Sequence, residues 1–187
     1  ISAIVDAAVM KLLKLMQRGA RSEPRDLSDV VVDFLDDLDR RASGHTNAIS
    51  TGLLDLDRLT GEGGRPGELW VIGARPSMGK TSFVLALCRN VGRTHRALML
   101  TQEDSSLMLA MRHVAAAGRV NLADLRSPMR APEAMWTGVA HGVDEIKPLM
   151  LSVDDQAALT MADVRRKAQQ VAARHGRLDL LVIDYLQ

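Results

Sequence analysis

A glycine-rich stretch near the middle of the chain has the residue types and spacing that bind phosphate. It reads Gly73-Ala74-Arg75-Pro76-Ser77-Met78-Gly79-Lys80-Thr81, fits the pattern G-x-x-x-x-G-K-[ST], and lies between an apolar run and an amphipathic stretch. In such a loop glycines let backbone N–H groups surround a phosphate, and the following helix adds the positive end of its dipole. The lysine reaches the β and γ phosphates, and the threonine hydroxyl is a ligand of Mg²⁺.

This stretch predicts a nucleotide site over residues 73–82, which takes in Ser82 at the start of the following helix. The alternative for the whole stretch is a glycine turn with a surface lysine. Within it we expect Arg75, Pro76 and Met78 to shape the loop, with direct contact to the ligand as the alternative.

An aspartate ends the apolar run Leu180-Leu181-Val182-Ile183. A carboxylate at the C-terminal end of a buried strand is how many nucleotide-hydrolysing enzymes hold Mg²⁺. Because parallel strands end at one edge of a sheet, we expect Asp184 to lie near Lys80 and Thr81 despite their separation along the chain. An aspartate that only caps the turn after the strand is the alternative.

Hydrolysis also needs a carboxylate that orients or polarises the attacking water. The residue after Asp184 is Tyr185, which cannot serve. Glu103 follows the apolar run 97–100, and it would face the γ-phosphate if that strand neighbours the strand before the phosphate loop. We therefore choose Glu103 as the catalytic base; its neighbour Asp104 is the competitor, and a solvated loop acid is the third possibility.

The elements that must position these residues form a strand–helix alternation. Continuous apolar runs, typical of parallel strands covered on both faces, predict strands over 69–72, 97–100, 149–153 and 180–185. Helical periodicity predicts helices over about 80–92, 106–117, 132–143 and 160–175, the last with a capping box from Thr160 to Asp163. The predicted fold is α/β, a mostly parallel sheet flanked by helices on both sides.

Two striped amphipathic helices are predicted before this domain, over 1–18 and 27–41, in a segment in which 19–47 is a linker and 48–187 is the α/β domain. Their apolar faces require burial, either on their own domain or on another subunit. The chain starts at Ile1 and stops directly after a strand-like run, so we expect a piece of a longer protein that ends within its sheet.

Composition excludes several classes of function. The formal charge of +1 offers no bulk basic surface for nucleic acid, and 3% aromatic residues are too few for a base-stacking platform. A single cysteine, Cys88, excludes a disulfide framework, and no apolar run is long enough to span a membrane. The five histidines have no metal-ligand spacing, so we expect surface or helix-cap residues.

Five segments of distinctive sequence follow one another along the chain. They are Ser50-Thr51-Gly52-Leu53-Leu54-Asp55-Leu56-Asp57-Arg58-Leu59-Thr60, Pro66-Gly67-Glu68-Leu69, Ala74-Arg75-Pro76-Ser77-Met78-Gly79-Lys80-Thr81, Leu100-Thr101-Gln102-Glu103 and Ile183-Asp184-Tyr185-Leu186-Gln187. In this order they resemble the DnaB-type replicative DNA helicases over about residues 26–187. Around Glu103 the chain departs from that family, which usually has apolar residues where Gln102 and Asp104 stand.

The resemblance implies a RecA-like motor domain in a homohexameric ring that binds ATP and Mg²⁺ between neighbouring subunits and translocates 5′ to 3′ on single-stranded DNA. It implies that Glu103 is the catalytic glutamate, that 27–41 is a linker helix docked on the adjacent subunit, and that 1–18 is the tail of a preceding domain. Expected partners are a primase and a helicase loader, in the cytoplasm of a bacterial, phage or plasmid system. The alternatives are another RecA-like ring ATPase, of recombination or clock type, or a nucleotide-binding or oligomerisation module without turnover.

Overall fold

The computed structural model describes residues 24–75 and 77–184, and of Arg130 only the backbone. The helix expected over 1–18 therefore lies outside the described residues, as do Pro76 and Tyr185. The chain divides into two compact units, residues 1–46 and 47–187.

The described part of the first unit is built on helix α1, Leu27–Ala42. Asp29 lies in its first turn and Arg40 and Arg41 in its last, which suits the direction of the helix dipole. Its apolar residues recur at helical spacing, yet none of its side chains is buried, and Phe34 and Leu35 are about half exposed, at 52% and 55%. The predicted helix is confirmed, and its apolar stripe lies on the surface.

The second unit alternates helices and strands from residue 80 onward. Its elements are α2 (Leu54–Thr60), α3 (Lys80–Gly92), β1 (Ala97–Thr101), α4 (Ser106–Gly118), α5 (Leu122–Arg126), a 3₁₀ turn (Pro128–Arg130), α6 (Ala134–Ile146), β2 (Leu151–Asp154), α7 (Met161–His175) and β3 (Leu180–Asp184). The four predicted helices of this unit are confirmed as α3, α4, α6 and α7. The short α2, α5 and 3₁₀ turn were not predicted, because they carry too few residues for a periodic pattern.

The described strands form one parallel sheet in the order β2-β1-β3. Strand β1 is central, with Ala97 opposite Leu151 on one side and Leu180 on the other. All five of its residues are buried, as the continuous apolar run predicts. The three strands end at one edge of the sheet, where Asp154 and Asp184 terminate β2 and β3.

Helices cover both faces of this sheet. Residues of α3 and α4 pack on one face around Met99 of β1, in a cluster completed by Val84, Leu85, Cys88 and Leu109. On the opposite face Leu98 and Leu100 pack against Val164 of α7. The predicted capping box is present at the start of α7, where Thr160 and Asp163 bond each other's backbone N–H groups. The architecture is α/β with a parallel sheet between helical layers, as predicted.

One predicted strand is wrong. Residues 69–72 form no strand in the described structure, and Leu69 and Val71 are 87% and 86% exposed. None of the three described strands pairs with this segment: β2 and β3 each pair only with β1, so the backbone of 69–72 has no hydrogen-bonded ladder. Apolar character alone predicted the strand, but a strand also needs a hydrogen-bonded neighbour.

Helices α4 and α6 approach each other through glycines. A β-carbon added at Gly142 would lie 2.6 Å from the carbonyl oxygen of Val114, and one at Gly138 would lie 2.9 Å from the carbonyl oxygen of Gly118. The two backbones therefore approach closely, and the Val120 side chain also lies against Gly138, 2.5 Å from where its β-carbon would be. Within the described ranges no helix is both long and apolar enough to cross a membrane.

Candidate functional site

The phosphate loop leads directly into the first turn of α3. Gly79 occupies the N-cap position with φ +88°, a left-handed conformation that favours glycine. No side chain caps this helix end, so its first backbone N–H groups are available to an external acceptor. Lys80 and Thr81 are the first two residues of the helix, which places an ammonium group and a hydroxyl beside those amides. This is the arrangement that binds a phosphate group.

Asp184, the last residue of β3, contacts both of these side chains. Its Oδ1 lies 2.8 Å from Nζ of Lys80, and its Oδ2 accepts a hydrogen bond of 3.3 Å from Oγ1 of Thr81. The aspartate is 4% exposed, so its charge is compensated by groups of the protein itself. Residues more than one hundred positions apart meet here because β3 ends at the sheet edge next to the start of α3.

A cavity of about 500 Å³ opens beside this contact. Besides Lys80 and Thr81, it is lined by part of the phosphate loop and by two side chains from the segment after β1. The lining residues are Ala74, Arg75, Ser77, Gly79, Lys80, Thr81, Ser82, Glu103 and Arg112. Of the predicted nucleotide residues, Gly73 and Met78 are not part of the lining, and Met78 is 73% exposed.

Glu103 lies in a short loop after β1 whose backbone is held by a buried side chain. The hydroxyl of Thr101 accepts hydrogen bonds from the N–H groups of Asp104, at 3.2 Å, and Glu103, at 3.4 Å. The neighbouring Gln102 donates its N–H to the carbonyl oxygen of Asp184, at 2.9 Å. The pairing of β1 with β3 therefore holds the start of the Glu103 loop beside Asp184, and Glu103 lies at the cavity. The condition on which this placement depended, that β1 neighbours a strand before the phosphate loop, is not met in the described structure.

The two adjacent acids of this loop have different surroundings. Oδ2 of Asp104 pairs with Nη2 of Arg112 at 3.3 Å, and both side chains are partly buried. Glu103 is exposed and lines the cavity. The cavity side of the loop therefore presents Glu103, while Asp104 is engaged with a cation of α4.

Arg112 is a cavity residue that sequence reasoning missed. It lies on α4, nine positions after Glu103, and its buried Nε has no hydrogen-bond partner in the described structure. The signal in the sequence is only that Arg112 lies on the helix that directly follows the acid-bearing loop. The cations that the sequence assigned to the nucleotide site, Lys80 and Arg75, both belong to the phosphate-loop motif, and beyond the motif only acids were candidates.

A second cavity, of about 580 Å³, lies at the far end of α3 and is lined in part by Arg89, Arg93 and Arg119. These arginines stand in or just after the last turns of α3 and α4, where cations are favoured by the negative ends of the helix dipoles. Glu145 pairs with Arg93 at 3.2 Å. The helix ends account for these charges, so the candidate site remains the cavity at the phosphate loop.

The residues of the site fit a magnesium ion that is bound together with a nucleotide. Thr81 and Asp184 supply a hydroxyl and a carboxylate oxygen close together, which are hard ligands of the kind Mg²⁺ prefers. The described residues contain no cluster of three or more metal-binding side chains. Mg²⁺ commonly takes only one or two protein ligands and completes its shell with phosphate oxygens and water, so two donors suffice.

The fold and the site together define a RecA-like phosphate-loop domain. The model of the DnaB-like helicase C-terminal domain family matches residues 48–187, and the chain belongs to this family. Among curated relatives, the replicative DNA helicases DnaB of Geobacillus stearothermophilus and Haemophilus influenzae are 29% and 30% identical over the whole chain. The chain spans about two fifths of these relatives, 41% and 42% of their lengths.

Solved structures have the same fold. One solved ATPase domain superposes with a TM-score of 0.77 at 24% identity, covering 88% of this chain and 58% of that one. The structure of a DnaB-like replicative helicase and its interactions with primase superposes with a TM-score of 0.76 at 22% identity, covering 96% and 43%. At these identities the likeness concerns the fold.

Proposed function

We propose that residues 48–187 belong to the ATP-hydrolysing motor of a replicative DNA helicase. The observation that carries the proposal is the contact of one buried carboxylate, Asp184, with both Lys80 and Thr81 at the start of α3. Membership of the DnaB-like family supports the same function, because its named relatives are replicative DNA helicases.

In this proposal the phosphate loop binds the triphosphate of ATP. Backbone N–H groups at the start of α3 and the Lys80 ammonium hold the β and γ phosphates. Thr81 and Asp184 hold Mg²⁺, which when bound neutralises charge on the phosphate oxygens. The site residues assigned to the nucleotide remain 73–82, and Ala74, Arg75 and Ser77 are loop residues that line the cavity.

Glu103 then activates the attacking water. Its carboxylate accepts a proton as the water oxygen attacks the γ phosphorus, and the bond to the β–γ bridging oxygen breaks. Asp104 is less suited to this role because its carboxylate is paired with Arg112. Arg112 brings a guanidinium to the same cavity, where a fixed positive charge stabilises the charge that develops on the transferred group.

The wider assembly follows the family. We propose a homohexameric ring in which α1 is the linker helix docked on an adjacent subunit and 1–18 are the tail of a preceding domain. The ring translocates 5′ to 3′ on single-stranded DNA, in the cytoplasm of a bacterial, phage or plasmid system. One structural neighbour was solved for its interactions with primase, which supports a primase partner; a helicase loader completes the proposal.

The test is hydrolysis and unwinding by a Lys80→Ala variant of the full chain. Loss of the ammonium removes the ion pair with Asp184 and the charge on the phosphates, so we expect weaker ATP binding and loss of ATP hydrolysis and of strand displacement on forked DNA. Lys147→Ala, an exposed lysine after α6, is the matched control and should behave as wild type.

Three results would overturn the proposal. Full ATP hydrolysis by the Lys80→Ala variant would contradict the assignment of the nucleotide site to the phosphate loop. ATP hydrolysis without strand displacement by the unaltered protein would indicate another RecA-like ring ATPase, and absence of both would indicate a module without turnover.

A further inference from the structure

The loop that carries Glu103 is bonded to a second loop that begins after β2. Asp155 Oδ2 accepts hydrogen bonds from the N–H of Ser106, at 2.7 Å, and from the Ser106 hydroxyl, at 2.8 Å. At the other end of the Glu103 loop, the side-chain oxygen of Gln102 accepts a 3.2 Å hydrogen bond from the N–H of Leu159. The two loops are thus joined on both sides of Glu103, although 49 and 57 residues separate the bonded partners.

Capping of α4 does not by itself account for Asp155. The helix already has a local N-cap, since the Ser105 hydroxyl accepts a hydrogen bond of 3.3 Å from the N–H of Met108. Asp155 adds a bond from a different part of the chain to the first residue of the helix. What this bond fixes is the position of the start of α4 relative to the end of β2.

The Asp155 carboxylate is held in its charged form. The backbone N–H of Ser106, and next its hydroxyl, lower the pKa of Asp155 below its usual value. The strand end behind it is anchored too, because the preceding Asp154 forms an ion pair with Lys167 of α7, whose side chain is only 11% exposed. Asp155 therefore follows a strand end that is held by an ion pair, and its side chain bonds the segment that carries Glu103.

We propose that Asp155 is a positioning residue for Glu103. Acting through Ser106, it holds the downstream end of the loop so that the Glu103 carboxylate stays at the mouth of the phosphate cavity. Asp155 does not line the phosphate cavity, so removing it changes the rate of hydrolysis and leaves ATP binding intact. The inference rests on the proposed role of Glu103.

The experiment compares Asp155→Ala with Asp155→Asn in the full chain. Alanine removes the acceptor, and we expect kcat for ATP hydrolysis to fall by about tenfold or more with an unchanged equilibrium affinity for ATP, since small displacements of catalytic groups are costly. Asparagine retains one acceptor oxygen and should restore most of kcat. Ser106→Ala removes one of the two bonds and should give an intermediate kcat.

The matched control is Asp163→Ala. Asp163 likewise accepts bonds from a backbone N–H and a hydroxyl, those of Thr160, but its bonds stay within the start of α7. This variant should lose a comparable helix contact and keep the wild-type kcat. Equal losses of kcat in the Asp155→Ala and Asp163→Ala variants would mean a general structural effect and would overturn the inference.

The remaining outcomes distinguish a failure of the positioning role of Asp155 from a failure of the catalytic role of Glu103. A wild-type kcat in the Asp155→Ala variant would contradict the positioning role. If that variant does not fold, a wild-type kcat in Ser106→Ala would contradict it. A fall in ATP affinity that matches the fall in kcat would also contradict the positioning role. Wild-type turnover by Glu103→Gln would instead refute the catalytic assignment itself, whatever the Asp155 variants do.

Discussion

At the scale of single residues, the site depends on how each carboxylate is paired. Asp184 is buried and its two oxygens are divided between Lys80 and Thr81, so neither oxygen is left without a partner. Asp104 is paired with Arg112, and Glu103 remains at the cavity. Three acids near one cavity thus differ in what they can do because different cations and donors face them.

Glu103 and Asp104 can be told apart by paired amide substitutions. Glu103→Gln keeps the shape of the side chain and loses its basicity, so we expect ATP to bind normally and to be hydrolysed about 10²- to 10³-fold more slowly. Asp104→Asn weakens an ion pair and should slow hydrolysis much less. Single-turnover hydrolysis and equilibrium ATP binding measure both variants, and the reverse ranking would make Asp104 the base.

At the scale of elements, α3 joins the phosphate site to the packing of α4. Lys80 lies at its first residue, and near its last turn Arg89 contacts His113 of α4 at 3.4 Å. His113 is 2% exposed, so our expectation of a surface or cap histidine is wrong for this residue. The signal was present, since His113 follows the buried Leu109 by four positions and so shares its helix face.

His113 predicts a pH dependence of stability. Burial, and then the charge of Arg89, lower the pKa of His113 to about 4 from an ordinary 6.5. In the unfolded chain the histidine takes up a proton below about pH 6.5, whereas in the folded chain it does so only near pH 4. The stability that depends on neutral His113 is therefore present above pH 6.5 and is lost as the pH falls toward 4.

Urea unfolding measures this effect. We expect the free energy of unfolding to fall by about 2 kcal/mol more between pH 7.5 and pH 5 in the wild type than in His113→Gln. His141→Gln, at an exposed position of α6, is the control and should keep the wild-type dependence. Identical pH profiles for wild type and His113→Gln would contradict the prediction.

The sequence predicted the parts of the molecule that repeat simple physical patterns. Five periodic helices and three apolar runs became elements, and the strand ends brought Asp184 to Lys80 because parallel strands finish at one edge. The strand predicted over 69–72 is absent from the described structure, since apolar character alone does not reveal whether a segment pairs with a neighbouring strand. Arg112 and Asp155 were missed because their partners depend on loop positions that local patterns do not determine.

At the scale of the whole molecule, α1 stands out because its apolar stripe is not buried in the described chain. Its seven large apolar residues, from Leu27 to Leu38, are all at least 40% exposed. A polypeptide does not ordinarily maintain such a stripe in water, and burial on a neighbouring subunit is the solution that fits the proposed ring.

Removal of residues 1–44 from the full protein should therefore impair assembly. We expect light scattering to show a loss of hexamers in favour of smaller species, and the point variant Phe34→Asp to shift the mass in the same direction because it charges the apolar stripe. Asp36→Asn, on the polar side of the same helix, is the control. Hexamers that survive both changes would place these helices within their own subunit.

The bare contact between α4 and α6 has a mechanical consequence. Where two helices touch only through long side chains, rotamer changes can absorb small shifts, but Gly118, Gly138 and Gly142 bring the two backbones close together. We therefore expect α4 and α6 to move together as one rigid body. We expect a displacement of the first turn of α4, beside Glu103, to move α6 as well, and Trp136 of α6, which is 56% exposed, would report it by a change in fluorescence.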